Sequence, residues 1–271
     1  MTGSIPTLRS AVVTGATGLL GNNIVRQLLA HGCEVTAIVR DKERARRLLP
    51  ASDGLRVVVG DVTQLNGFAF ALRGAEAVFH TAAYFREYYQ PGYDPGLLHR
   101  TNVQAVLDLL QAALDAAVPV VVHTSSVGTL GTGPDADSSL ADENSRLNGR
   151  GTRNAYFASK VRADEAVHAF CERHTLRVPV ILPSWMWGPH DAGPTSAGRL
   201  FLAVARGELR AVPRAGNHVV DARDVASACI RAAVRGSGRY VVGGVWRTLP
   251  DVCGAVARTV GVAAPRAVPA P

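Results

Sequence analysis

AVVTGATGLLGNN, residues 11–23, is the stretch whose reading decides the fold. Ala11, Val12 and Val13 make a short apolar run of the kind a buried strand supplies, and Thr14-Gly15 opens a turn. Gly15, Gly18 and Gly21 follow at a spacing of three, while Leu19, Leu20, Ile24, Val25, Leu28 and Leu29 recur with helical period. A strand, a glycine turn and a helix N-terminus together make an anion site. Glycines let the backbone approach a pyrophosphate, and the first-turn N–H groups and helix dipole face it. An ordinary strand-to-helix turn can also hold glycines; the strand before and the helix after are what point to a dinucleotide.

Outward from this turn the chain alternates strand and helix. Residues 34–39 (EVTAIV), 55–59 (LRVVV), 75–80 (AEAVFH), 118–126 (VPVVVHTSS) and 176–182 read as further strands. Residues 41–49, 68–72, 97–117 and 154–174 read as helices. That rhythm predicts an α/β fold with a Rossmann-type, doubly wound parallel sheet, joined by right-handed crossovers and covered on both faces. Residues 84–96, with four tyrosines and two prolines, read as a loop over the carboxyl edge of the sheet, and 131–148 as a polar surface loop. Past residue 182, PSWMWGPHDAGP is turn-rich. Helices are expected over 199–206, 222–234 and 249–260, with short strands near 209–212, 218–220 and 239–242. The final VAAPRAVPAP reads as a proline-rich tail. A nucleotide-binding domain over 1–182 and a small C-terminal substrate-binding lobe over 183–271 follow, the chain being free to re-enter the core.

Composition narrows the function classes. With 47% hydrophobic and 19% charged residues the chain is a folding one, not a disordered one. No apolar run approaches the ~18–20 residues of a membrane span. The opening MTGSIPTLRS lacks a signal-peptide pattern, so a cytosolic place is expected. Cys33, Cys171, Cys229 and Cys253 are scattered, with no Cys-x-x-Cys pair, and read as core thiols with no metal and no disulfide. Net charge is +7, carried by arginine apart from Lys42 and Lys160, with no basic tail and no aromatic interleaving. That balance argues against nucleic acid and suits an anionic small molecule.

Tyr156 and Lys160 stand four apart on one predicted helix and share a face. A phenol with a pKa of about 10 is a poor acid–base group at neutral pH. A neighbouring ammonium favours the phenolate and brings that pKa closer to use. One of only two lysines in an arginine-rich chain falls at this spot, where a compact point charge serves and a broad guanidinium does not. Ser125 and Ser126 end the preceding strand; a hydroxyl there can hydrogen-bond a substrate oxygen, although a Ser-Ser strand end is more often a plain cap.

These pieces together resemble the extended short-chain dehydrogenase/reductases, and within them the dihydroflavonol-reductase-like and sugar-epimerase-like members. TGATGLLG (14–21), GDV (60–62), HTAA (80–83), TNV (101–103), HTSSVGTLG (123–131), YFASK (156–160), LPSWMWGP (182–189) and HVVDARDVA (218–226) run in family order. They cover residues ~8 to 245, and several motifs in order are far more specific than one. The resemblance implies that Tyr156 is the proton donor or acceptor, that Lys160 lowers its pKa and bonds the nicotinamide ribose, and that Ser126 orients the carbonyl. It further implies that Thr14, Gly15, Thr17, Gly18, Leu19, Leu20 and Gly21 surround the pyrophosphate and Asp61 and Val62 the adenine. Thr81, Ala82 and Ala83 would follow the cofactor backbone. Ser125, Pro183 and Ser184 would border the nicotinamide, and Asn102 would support the site.

Cofactor choice rests on the end of the second strand, about 20 residues past the glycine turn, where relatives that prefer NAD place a carboxylate. Arg40 stands there, with Lys42 and Arg44 near, and a guanidinium can fork onto a 2′-phosphate. NADP is therefore expected. Asp41 is adjacent, so NAD stays open. The complete Ser-Tyr-Lys set implies a carbonyl reductase or alcohol dehydrogenase acting on a small or medium hydrophobic substrate. Tyr84, Phe85, Ser126, Trp185, Met186, Trp187 and Phe201 are the expected substrate contacts. A nucleotide-sugar epimerase or dehydratase is the alternative, with Arg199 facing a phosphate. A non-catalytic cofactor sensor is the third. Helices 97–117 and 154–174 are similar to those that join two subunits in this family, which implies a homodimer.

Overall fold

The computed structural model describes residues 8–85, 91–131, 141–145, 147 and 154–270. In chain order the first half runs β1 (Ser10–Thr14), α1 (Leu19–Ala30), β2 (Glu34–Val39), α2 (Lys42–Leu48), β3 (Leu55–Val59), β4 (Ala77–His80), α3 (Pro95–His99), α4 (Ala105–Asp115) and β5 (Val121–Thr124). The second half runs α5 (Ala155–Cys171), β6 (Val180–Pro183), β7 (Trp185–Trp187), α6 (Ser196–Ala205), β8 (Ala211–Pro213) and β9 (Gly216–Asp221). It ends with α7 (Ala222–Arg235), β10 (Arg239–Val242), β11 (Val245–Thr248), α8 (Leu249–Val260) and β12 (Arg266–Val268).

Seven strands form one sheet in the order β10-β6-β5-β4-β1-β2-β3, every pairing parallel. The apolar runs alternate faces with the two-residue strand period. Val13, Phe79 and Val122 turn to one side and meet Ile24 and Leu28 of α1 and Val225 and Ile230 of α7. Val12, Val78 and Val121 turn to the other and meet Leu109 and Leu110 of α4 and Val167 and Phe170 of α5. Each such fully buried side chain contributes roughly 1.5–3 kcal/mol, so both helix layers are needed. The winding reverses between β1 and β4, which leaves a crevice at their carboxyl ends.

The residues past 182 are shared between core and lobe. β10 completes the main sheet beside β6, and α7 packs across α1 through Val225, Ala226, Cys229 and Ile230. The lobe itself holds a three-stranded sheet, β11-β9-β7, and a small core of Val204, Val212, Cys253, Val256 and Ala257. Three sequence expectations are corrected. Trp185–Trp187, expected in a turn, is strand β7, paired parallel with β9. The supposed tail contains β12, paired parallel with β8, because the Pro265-to-Pro269 interval leaves enough N–H groups for a short ladder. The expected helix 97–117 begins at Pro95 behind an Asp94 cap and passes through a π-helical turn, Arg100–Gln104, before α4. Most of the expected 131–148 loop and residues 86–90 of the tyrosine-rich loop lie outside the described residues. Among the described residues no helix is long and apolar enough to cross a membrane.

Two glycines position the crevice. Gly15 has φ +69, and a Cβ on it would meet the Ala82 amide nitrogen at 2.7 Å; a Cβ on Gly21 would meet the Gly15 carbonyl carbon at 2.8 Å. In an exposed helix interior Gly→Ala gains about 1 kcal/mol. Gly21→Ala is expected to reverse that sign and lose about 1–3 kcal/mol through overpacking, read as a lower urea midpoint.

Candidate functional site

Above the carboxyl ends of β1, β4, β5 and β6 opens a cleft of about 530 Å³. Its floor at one end is the start of α1, Gly18 to Gly21. Gly18 is the N-cap of that helix and contributes no side-chain hydrogen bond, so the first-turn N–H groups are left for an incoming anion. Thr81 and Ala83 flank the turn, and the Thr81 hydroxyl donates to the Thr14 carbonyl at 2.8 Å. A glycine notch without side chains, ending on uncapped amides, fits the pyrophosphate of a dinucleotide.

At the other end α5 delivers the reactive pair. Asn154 caps this helix by accepting the Phe157 N–H, and the four-residue offset brings Tyr156 and Lys160 to the cleft side by side. The Tyr156 ring is buried edge-on between Phe85, at 5.0 Å, and Phe157, at 5.5 Å between ring centres. Lys160 is 3% exposed and donates from Nζ to the Thr124 carbonyl at 2.8 Å. Burial pulls its pKa down to about 8, against the opposing pull of Asp164. Ser126 begins a 3-10 turn and accepts the Gly128 N–H at 3.1 Å on its Oγ. That bond uses a lone pair and leaves the hydroxyl proton to donate. Ser125 turns the other way and donates to Asp164 Oδ2 at 2.8 Å.

Of the residues named from sequence, Gly18, Leu19, Leu20, Gly21, Thr81, Ala83, Phe85, Ser125, Ser126, Tyr156, Lys160, Pro183, Ser184, Trp185 and Met186 line this cleft. Thr14 lies below it, its hydroxyl bonded to His80 Nδ1 at 2.8 Å. Gly15 and Ala82 approach closely behind the turn, and Thr17 is a half-buried residue within it. Arg40 and Lys42 are exposed beyond β2, and Asp61 and Val62 follow β3; Asp61 Oδ1 accepts both the N–H and the hydroxyl of Thr63. Asn102, in the π-helical turn, accepts the Tyr84 N–H at 2.7 Å and donates to Ser159 at 3.0 Å, so it ties the loop after β4 to α5.

Three expected substrate contacts fall elsewhere. Tyr84 packs on Leu98 and Tyr156, and its hydroxyl accepts the Asp94 N–H. Trp187 packs on the lobe core, and Phe201 is exposed on α6. Trp185 and Trp187, two apart on one face of β7, meet edge-on with ring centres 4.9 Å apart; Trp185 lines the cleft and donates to Ser196 at 3.2 Å, while Trp187 packs beyond it on the lobe core. Thr124, Phe157, Thr195, Ser196 and Asn217 also line the cleft. Phe157 was signalled by adjacency to Tyr156; Asn217 had no signal, since only the sheet β11-β9-β7 carries it to the site.

Beneath the cleft floor lies a buried polar layer. His80 and His123 stack with ring centres 5.9 Å apart, and His123 Nε2 is 3.7 Å from Asp164 Oδ1. Burial, aided by the Lys160 charge, lowers His80 to about 3 and His123 well below the ordinary imidazole value. Burial raises Asp164 to about 6, opposed by its bond from Ser125.

A model of the NAD dependent epimerase/dehydratase family matches residues 11–243. A putative dihydroflavonol 4-reductase of Synechocystis sp. is 31% identical over 265 residues, spanning 94% of this chain and 73% of the relative. Sterol demethylase protein B of Methylococcus capsulatus is 34% identical over 247 residues, spanning 90% and 72%. Among solved structures, a Thermus thermophilus UDP-glucose 4-epimerase in complex with NAD superposes with a TM-score of 0.79 at 25% identity, covering 97% of this chain and 86% of that one.

The buried layer sets an acid limb of stability. Below pH 6.5 the unfolded chain protonates both histidines and the folded chain neither, so stability falls as pH falls. Asp164, raised in the fold, takes up one proton below about 6 and offsets one histidine. Between pH 6 and 4.5 the net loss is expected at about 1.4 kcal/mol per pH unit. His123→Phe should nearly flatten that slope in urea titrations at stepped pH.

Proposed function

This chain belongs to the NAD dependent epimerase/dehydratase family, and on that premise we propose that it is an NADP(H)-dependent oxidoreductase acting on a neutral, largely apolar ketone or alcohol. The observation that carries this reading is the cleft wall. Phe85, Phe157, Trp185 and Met186 surround the space beside Tyr156, and Lys160 is the one charged side chain among the lining residues described. A neutral carbonyl compound loses little on entering such a space. A nucleotide sugar brings a diphosphate that needs cations. Arg199, the candidate for that task, bonds the Pro194 carbonyl at 3.1 Å and is not among the lining residues.

Gly18 to Gly21 would hold the pyrophosphate, and Pro183 and Ser184 would border the nicotinamide. The nicotinamide supplies or receives the hydride when bound. Ser126, its oxygen already accepting from Gly128, donates its proton to the substrate oxygen and so stabilises the charge that develops there. Tyr156 exchanges the hydroxyl proton with that same oxygen, and the Lys160 ammonium one turn below favours the phenolate. Phe85 and Phe157 keep water from the ring of Tyr156.

NADP is favoured over NAD by what Asp41 is doing. Its carboxylate accepts the Arg44 N–H at 2.9 Å as the cap of α2, while Arg40 stands exposed just past β2 with Lys42 exposed beside it. The helices α4 and α5 that pack on one face of the sheet also suit a two-subunit association, so light scattering should return twice the 28.6 kDa chain mass.

Tyr156→Phe is expected to lower kcat by about 10²–10⁴-fold, the worth of a positioned acid–base group, in NADPH-linked reduction of a panel of hydrophobic ketones. Arg40→Asp should raise KM for NADPH by about 10–100-fold, as loss of a charge-assisted bond implies, with little change for NADH. A wild-type preference for NADH overturns the cofactor assignment; turnover of nucleotide sugars without net NADPH use overturns the reaction.

A further inference from the structure

Among the described residues only one Lys or Arg and one Asp or Glu are fully buried, and they are Lys160 and Asp164. Both stand on α5, one turn apart, at the same four-residue offset that separates Tyr156 from Lys160. Phenol, ammonium and carboxylate thus form a ladder running from the cleft into the core. A lone ammonium in such a place is strongly disfavoured unless an anion shares it.

The carboxylate is held from several elements. Ser125, just past β5, donates to Asp164 Oδ2 at 2.8 Å, while Oδ1 has no hydrogen-bond partner among the described residues and lies 3.7 Å from His123 Nε2. His123 comes from β5, with His80 of β4 stacked on it, and burial keeps both neutral. Arg239 of β10 is the other cation whose charge reaches Asp164, and Thr129 is a neutral neighbour. Arg239 is half-buried and is held by the Ser145 carbonyl at 3.0 Å. Lys160 is the cation that both shares the helix face and faces the cleft.

We propose that Asp164 is a positioning residue for proton transfer. Its carboxylate keeps Lys160 an ammonium and, through Lys160, sets the acidity of Tyr156, while its bond from Ser125 anchors the strand end that carries Ser126. The proposal rests on the reading of Tyr156 and Lys160 as the proton-transfer pair.

The two lysines of this chain make the test direct. Protein labelled with ¹³Cε-lysine gives two signals, and Lys42→Arg assigns the exposed one. In the cofactor-free protein the Lys160 signal is expected to titrate near 8, with a smaller step near 6 that reports Asp164. Asp164→Asn retains an oxygen for Ser125; it should remove the lower step and move the main one down by a pH unit or more, a tenfold loss of proton affinity. Asp164→Glu should restore both. A main step unmoved in Asp164→Asn overturns the pairing. Should that variant not fold, a wild-type Lys160 curve without the lower step overturns it equally.

With NADP⁺ and an alcohol substrate, the rise of kcat with pH should move to higher pH in Asp164→Asn, with KM for substrate little changed. An unmoved profile removes the link to Tyr156. Wild-type protein that turns over no alcohol or ketone overturns the functional reading instead, and the lysine titration still decides the pairing.

Discussion

A gap with no side chains in it governs this molecule. At the carboxyl ends of β1 and β4, where the sheet reverses its winding, Gly15 and Gly21 approach so closely that neither position has room for a Cβ. The closeness seats the start of α1 directly over the sheet edge, and Gly18 as its cap leaves the first amides unsatisfied by any side chain. Unsatisfied amides at a helix start attract anions. The two helix layers serve this geometry: α1 with α7 on one face, α4 with α5 on the other, each locked by strand residues that alternate sides.

Across the same crevice the governing effect is the low dielectric of the interior. Lys160 is buried, so its charge is felt strongly by whatever shares the cavity. Burial, and after it that charge, lowers His80 and His123, and desolvation in turn lowers the proton affinity of Lys160 itself. A surface lysine would be screened by water and would act weakly on a neighbouring phenol. Here a few buried groups set one another's protonation, and neutral histidines, a carboxylate and an ammonium form one coupled layer beneath the cleft.

The lobe supplies part of the cleft wall. β7 leaves the main sheet immediately after β6 and joins the sheet of β9 and β11, and its two tryptophans, on one face and in edge contact, link the two regions: Trp185 lines the cleft and Trp187 packs on the lobe core. α7 and β10 then return to the nucleotide-binding sheet, so the lobe is an excursion from the core held at both ends. The belonging of the chain to the NAD dependent epimerase/dehydratase family accounts for the shared core. Phe85, Phe157, Trp185 and Met186 make the apolar part of the cleft wall above that core.

Local chemistry made much of this legible in the chain alone. The strand–glycine–helix stretch, the β2 and β3 runs and the Tyr156–Lys160 spacing depend on neighbours a few residues apart, and pattern reports such neighbours faithfully. Only the tertiary structure placed Asn217 on the cleft wall, withdrew Tyr84, Trp187 and Phe201 from it, and paired β12 with β8. It alone brought His80, His123 and Asp164 beneath Lys160. Those contacts join residues dozens of positions apart, and their energies exist only once burial has removed the water between them.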